Sequence, residues 1–194
     1  MKKSLFLLVI LSLFYFPGAA IPVFEDTAIF QRCEFLNKDS EVPEIISAII
    51  AHVGLCPNFE VREADVKNAK AAIRNKKRVI LYNKDYIAKI NRKSKTYWAG
   101  VSVLAHELGH HLNGHPISYD KSDLEAELEA DQFAGFILRK MGATLVEAQA
   151  AINTIGRIQD TESHPGRVSR LAAIRKGWES ADRQLTHQSL SGAY

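Results

Sequence analysis

His106-Glu107-Leu108-Gly109-His110 constrains this chain more than any other stretch of it. Residues four apart on a helix lie one above the other, so His106 and His110 can offer two imidazole nitrogens to one metal ion. Glu107 sits about 100° round the same helix, within reach of a water on that metal and able to take its proton. The surrounding residues predict a helix over residues 96–113. Val101, Leu104, Ala105, Leu108 and Leu112 recur at helical spacing and form a core stripe. Ser102, His106, Gly109, His110 and Asn113 occupy another face, assigned to a cleft. Gly109 lowers helix stability by about 1 kcal/mol relative to Ala, and its expected return is clearance for the metal or for a second helix. Asn113-Gly114 ends the helix, and His111 and His115, off the ligand stripe, read as ordinary surface histidines.

A third donor is expected from Glu127-x-x-Ala130-Asp131, an ExxAD pattern on a second helix. Ser122-x-x-Glu125 reads as the capping box that starts this helix, and Gly142 as its terminator. Leu124, Leu128, Phe133, Phe136, Ile137 and Leu138 occupy much of its circumference, which predicts burial on more than one face. Glu127 and Asp131 share a stripe with Ala130 and Ala134, whose small side chains admit a close neighbour. A carboxylate turned inward needs a cation. Two His and one Glu with an open fourth position form the ligand set of hydrolytic zinc sites. The alternative is that Glu125, Glu127 and Glu129 make an exposed acidic face.

With the later His164-Pro165-Gly166-Arg167-Val168-Ser169-Arg170-Leu171, an HPxxxxR followed by an aliphatic residue, the chain resembles the gluzincin metallopeptidases. More narrowly it is similar to the forty-eighth metallopeptidase family, with its CAAX prenyl endopeptidase and HtpX-like heat-shock protease types. The resemblance covers residues 78–178, about half the chain. HExxH is shared by many metallopeptidases, whereas the three motifs in this order are specific. Two departures stand out. The polytopic membrane helices of the best-known members are missing, and only sixteen residues separate His110 from Glu127, fewer than in those members and closer to the small soluble minigluzincins.

The resemblance implies one zinc ion on His106, His110 and Glu127, with Glu107 as general base. Asp131 would orient a ligand histidine and fix its tautomer. His164 and Arg170 would flank the zinc and stabilise the oxyanion of a tetrahedral intermediate. Taken on their own, His164 before Pro165 suits a turn, and Arg170 suits a salt-bridging position on a helix. Gluzincins bind extended substrate backbone on an edge strand near the zinc, and residues 78–82 are the candidate for that strand. The expected activity is zinc-dependent endopeptidase action on peptide or protein substrates. The alternative is a non-catalytic exported protein that retains the zinc fold for binding or assembly. Glu107 argues for the first, because a structural zinc site needs no general base.

Met1-Lys2-Lys3, a run over residues 5–16 that is apolar except for Ser12, and Pro17-Gly18-Ala19-Ala20 read as a secretory signal over residues 1–20, cleaved after Ala20. Twelve residues fall short of the roughly 20 that span a bilayer. The expected location is periplasmic or extracellular. An uncleaved leader would instead anchor the chain, and only then is membrane contact expected. Removing the leader takes away Lys2 and Lys3 and no acid, so the formal charge falls from +3 to +1. That balance gives no case for nucleic-acid binding. Cys33 and Cys56 are an even pair in an exported chain, which favours one disulfide over two buried thiols.

The other elements are a helix over residues 43–53 with Ile45, Ile46, Ile49, Ile50 and Val53 as its stripe, and short strands over 59–66, 71–73 and 78–82. Asn75-Lys76 turns between the last two strands. Thr144-x-x-Glu147 caps a helix carrying Ala148, Ala151, Ile152, Ile155 and Ile158. A final helix is expected over residues 165–180, with residues 182–194 as a disordered tail. The sum is an α+β fold, a single gluzincin-like metallopeptidase domain over residues 21–181. A small N-terminal sheet precedes a helical half that carries the HExxH helix.

Overall fold

The computed structural model describes residues 41–55, 58–115 and 123–191. The expected leader (residues 1–20), Cys33, Cys56 and Ser122 lie outside the described residues. The architecture is α+β. Helix α1 (Glu41–Val53) precedes strands β1 (Phe59–Glu63), β2 (Ala69–Arg74) and β3 (Lys77–Tyr82). Then follow α2 (Lys84–Ser94), α3 (Trp98–Leu112), α4 (Leu124–Lys140), α5 (Leu145–Ala148), α6 (Ala150–Ile155) and α7 (Arg167–Ser191). Among the described residues no helix is long and apolar enough to cross a membrane.

The strand order is β1-β3-β2, with β1 parallel and β2 antiparallel to β3. Residues 78–82, expected on an edge, are therefore central, and the edge strand beside the HExxH helix is β2. The reason lies in the run Val79-Ile80-Leu81-Tyr82, which is buried throughout. Ile80 and Tyr82 enter the main core, while Val79 and Leu81 pack on the other face with Ala72. A strand apolar on both faces belongs inside a sheet. Asn75 (φ 51°) and Lys76 (φ 63°) form a two-residue loop with both φ positive, the turn whose twist matches a hairpin.

Helix α3 runs through the middle of the domain and is buried on nearly every side. His111 on it is buried, contrary to the surface reading. Its Nε2–H donates to the Val79 carbonyl at 3.1 Å, and its ring stacks on Phe59. Arg78 donates back to the His111 carbonyl at 2.9 Å. These contacts seat α3 on the sheet. Helix α2, which the apolar pattern did not reveal, buries only Ile87 and Ile90 and is started by Asn83, whose side chain accepts from the Tyr86 amide.

Helix α4 is capped by Asp123, which accepts from the Glu125 amide at 2.9 Å. That cap stands one residue after the expected one. It packs on α3 at Gly109, where an added Cβ would stand 3.1 Å from the Ala130 Cα. Of the two expected returns for this glycine, clearance for the second helix is the one seen. On its other side α4 meets α7 at Gly135 and Gly177, where a Cβ would come within 2.0 Å of the Ile174 carbonyl oxygen and 1.8 Å of that of Gln132.

The Thr144–Glu147 capping box forms with both of its bonds. The helix it opens is broken at Gln149 into α5 and α6 and stops at Gly156. Ile155 and Ile158 thus lie outside the core, at 43% and 75% exposure. Helix α7 continues past the expected end at residue 180 and carries residues 182–191 of the expected tail. Ala181 is fully buried, Arg139 on α4 pairs with Asp182 at 2.7 Å, and no Gly or Pro interrupts residues 178–191.

Candidate metal centre

Helical spacing stacks His106 over His110, and the close α3–α4 contact at Gly109 brings Glu127 to them. One donor atom from each of the three lies within 4.8 Å of the others. The two Nε2 atoms are 3.1 Å apart. Glu127 stands 3.3 Å from His106 Nε2 through Oε2 and 3.5 Å from His110 Nε2 through Oε1. His106 and Glu127 are 8% and 6% exposed, so these donors sit in a low-dielectric pocket rather than on an acidic face. Glu127 Oε2 is buried with no hydrogen-bond partner among the described residues. A buried anionic oxygen left without a donor is the expected mark of a cation ligand. The donor set of two imidazoles and a carboxylate fits a zinc-type ion.

Asp131, at 2% exposure, accepts from His106 Nδ1–H at 2.9 Å. Because Asp131 offers only acceptors, that bond leaves the lone pair of a neutral His106 ring on Nε2, facing the cluster. Arg170 grips the same carboxylate with Nε at 2.6 Å and Nη2 at 2.7 Å. It is thus brought to the site, with two of its donors committed to Asp131. His164 arrives from the loop before α7, its Nε2 3.3 Å from Glu127 Oε2 and its side chain 46% exposed. Thr161 fixes that loop by donating to the His164 carbonyl and accepting from its amide.

Glu107 points to β2, where the Ala71 amide donates to its Oε2 at 2.7 Å. Arg74 and Lys77 flank the two-residue loop and form a hydrogen-bonded pair, so pairs alternate from there along the hairpin. Ala69, Ala71 and Ile73 therefore turn their backbone groups away from β3, towards an edge on which no further strand pairs among the described residues. The general-base candidate stands beside the outer edge of β2.

Three carboxylates, Glu107, Glu127 and Asp131, face one guanidinium here. Burial pushes Glu107 up to about 7. Burial disfavours the charge on His106, yet Asp131, Glu127 and Glu107 hold its pKa at about 10. Burial and the neighbouring His106 charge push His110 down to about 4. Burial also opposes the charges of Glu127 and Asp131, but His106 holds both below the usual carboxylate range, with Arg170 adding to the effect at Asp131. With both imidazoles neutral the carboxylates outnumber the single guanidinium, a balance that suits a divalent cation.

All seven residues expected in the site converge, Asp131's partner Arg170 among them. Three others were not foreseen. Tyr86 from α2 lines the cleft with Glu107 and His164, and burial raises its pKa. His115, read as a surface residue, has Nδ1 3.0 Å from His110 Nδ1. Glu129 accepts from His115 Nε2 at 2.8 Å. Comparison with models of protein families, with curated proteins and with solved structures finds no match to this chain.

Proposed function

We propose that this chain is an exported zinc-dependent endopeptidase of the gluzincin type, acting on extended segments of protein substrates. One observation carries the reading: Glu107, beside a His106–His110–Glu127 donor set, is hydrogen-bonded to the outer edge of β2. A donor set alone would serve a structural ion. A buried carboxylate that can gain and lose a proton near neutral pH, placed between that set and the outer edge of a strand, suits hydrolysis of a backbone amide.

Zinc, when bound, lowers the pKa of its water towards neutrality and polarises a carbonyl. His106, His110 and Glu127 would hold it, with Asp131 and Arg170 fixing the ring of His106. The edge of β2 would align an extended peptide by main-chain hydrogen bonds. Glu107 takes the proton of the attacking water and hands it to the leaving amine. His164, on the exposed side of the cluster, donates to the carbonyl oxygen as negative charge gathers on it.

A casein or peptide-library digest, with and without chelator, tests this. Chelation should abolish cleavage and zinc should restore it. Glu107→Gln should keep zinc and fold while losing nearly all turnover. Cleavage at the wild-type rate by that variant would sink the proposal.

A further inference from the structure

Helix α3 ends in a turn that returns the chain to the metal ligands. Gly114 has φ +70°, and the amide of His115 bonds to the carbonyl of His110 at 3.1 Å. This six-to-one bond around a left-handed glycine closes a Schellman turn. It lays the His115 ring beside that of His110, edge to face with centroids 5.1 Å apart. The His115 side chain is 8% exposed, while its partner Glu129 is 55% exposed on α4.

The hydrogen-bond chain has one consistent direction. The Glu129 carboxylate only accepts, so His115 must donate from Nε2. A neutral His115 then carries its lone pair on Nδ1 and accepts from His110 Nδ1–H. That tautomer of His110 frees its Nε2 lone pair, the atom 3.1 Å from His106 Nε2 and 3.5 Å from Glu127. Asp131 does the same for His106 from the opposite side. The two ligand rings are therefore set by two separate carboxylates, one buried and one near the surface.

We propose that His115 and Glu129 are positioning residues that orient His110 for the metal, through a carboxylate–imidazole–imidazole relay built on the Gly114 turn. The proposal rests on the reading of His106, His110 and Glu127 as a metal site. Each ligand histidine in such a site needs an acceptor on its other nitrogen, and His115 is the acceptor the structure gives His110.

The test measures zinc affinity of the purified chain by competition with a chromophoric chelator, and the visible spectrum after loading with Co2+. His115→Phe keeps ring size and removes both nitrogens, and Glu129→Ala removes the terminal acceptor. Both should weaken zinc binding by about 10–100-fold and shift the cobalt bands, with circular dichroism unchanged. His115→Gln, whose amide can accept from one side and donate to the other, should recover part of the loss. His187→Phe, exposed on α7, should match wild type. Should His115→Phe misfold, Glu129→Ala decides alone. Wild-type affinity and spectrum in either variant would overturn the relay and leave the metal site standing. Wild-type protein that bound no more zinc than Glu127→Ala would overturn the metal reading, and the relay with it.

Discussion

Gly109 and Ala130 meet backbone to backbone, and the His106–His110–Glu127 cluster depends on that contact. With 3.1 Å between a notional Gly109 Cβ and the Ala130 Cα, even a methyl group would press on main chain that cannot turn aside. Gly109→Val should therefore wedge α3 from α4 and carry Glu127 away from the two imidazoles. We expect a loss of about 1–3 kcal/mol in stability, as for other overpacked cores, and at least a tenfold loss in zinc affinity. Urea unfolding and chelator competition would show both, and unchanged zinc affinity would separate the helix contact from the site.

Zinc that joins α3 to α4 should stabilise the fold. At a hundredfold excess over its Kd, the gain is about 2.7 kcal/mol. Thermal unfolding should shift downward when chelator is added. Glu127→Ala should lose zinc, against about one ion per chain in the wild type, and its melting temperature should no longer respond to chelator. Full occupancy in that variant, by elemental analysis, would mean the third ligand lies elsewhere.

Asp131 holds the His106 ring and the Arg170 guanidinium at once. Asp131→Ala leaves a largely buried guanidinium without its partner, a loss of about 3–5 kcal/mol in comparable pairs. The same change should weaken zinc because His106 loses its orienting acceptor. Arg170→Met, which removes the stranded charge, should in that background recover stability but not zinc affinity. Recovery of both would show that Asp131 serves only the ion pair.

His164→Ala should retain zinc and fold yet reduce kcat by about 10²–10³, the usual effect of losing one oxyanion donor. An effect confined to KM would assign His164 to substrate binding instead.

The leader and the two cysteines predict an exported form that begins near Ile21 and carries a Cys33–Cys56 bond. Intact-mass analysis with thiol labelling checks both. Retained Met1 with two reactive thiols would refute them.

The candidate donor cluster was legible because helical spacing is local: a separation of four residues fixes the relation of two imidazoles whatever the rest of the chain does. The ExxAD helix was legible for the same reason. What escaped depended on tertiary neighbours. Residues 78–82 were placed on an edge by likeness, although their unbroken apolar run was itself the sign of a central strand. His111 lies off the ligand face, but that face of the helix meets the sheet. His115 stands beyond the helix end, where spacing rules lapse, and the Asn113-Gly114 pair was the signal that the chain turns back there. Helix α2 buries too few apolar side chains to show a stripe.

The bond between Ala71 and Glu107 also acts as a ruler. Outward-facing amides recur on β2 every second residue, about 7 Å apart. A chain added to this edge could move past Glu107 only in two-residue steps, since a single-residue slip would exchange its two faces. The scissile position along an extended substrate would thus be counted off from the Ala71 amide, giving a cleavage pattern sensitive to the parity of the sequence as well as to its side chains.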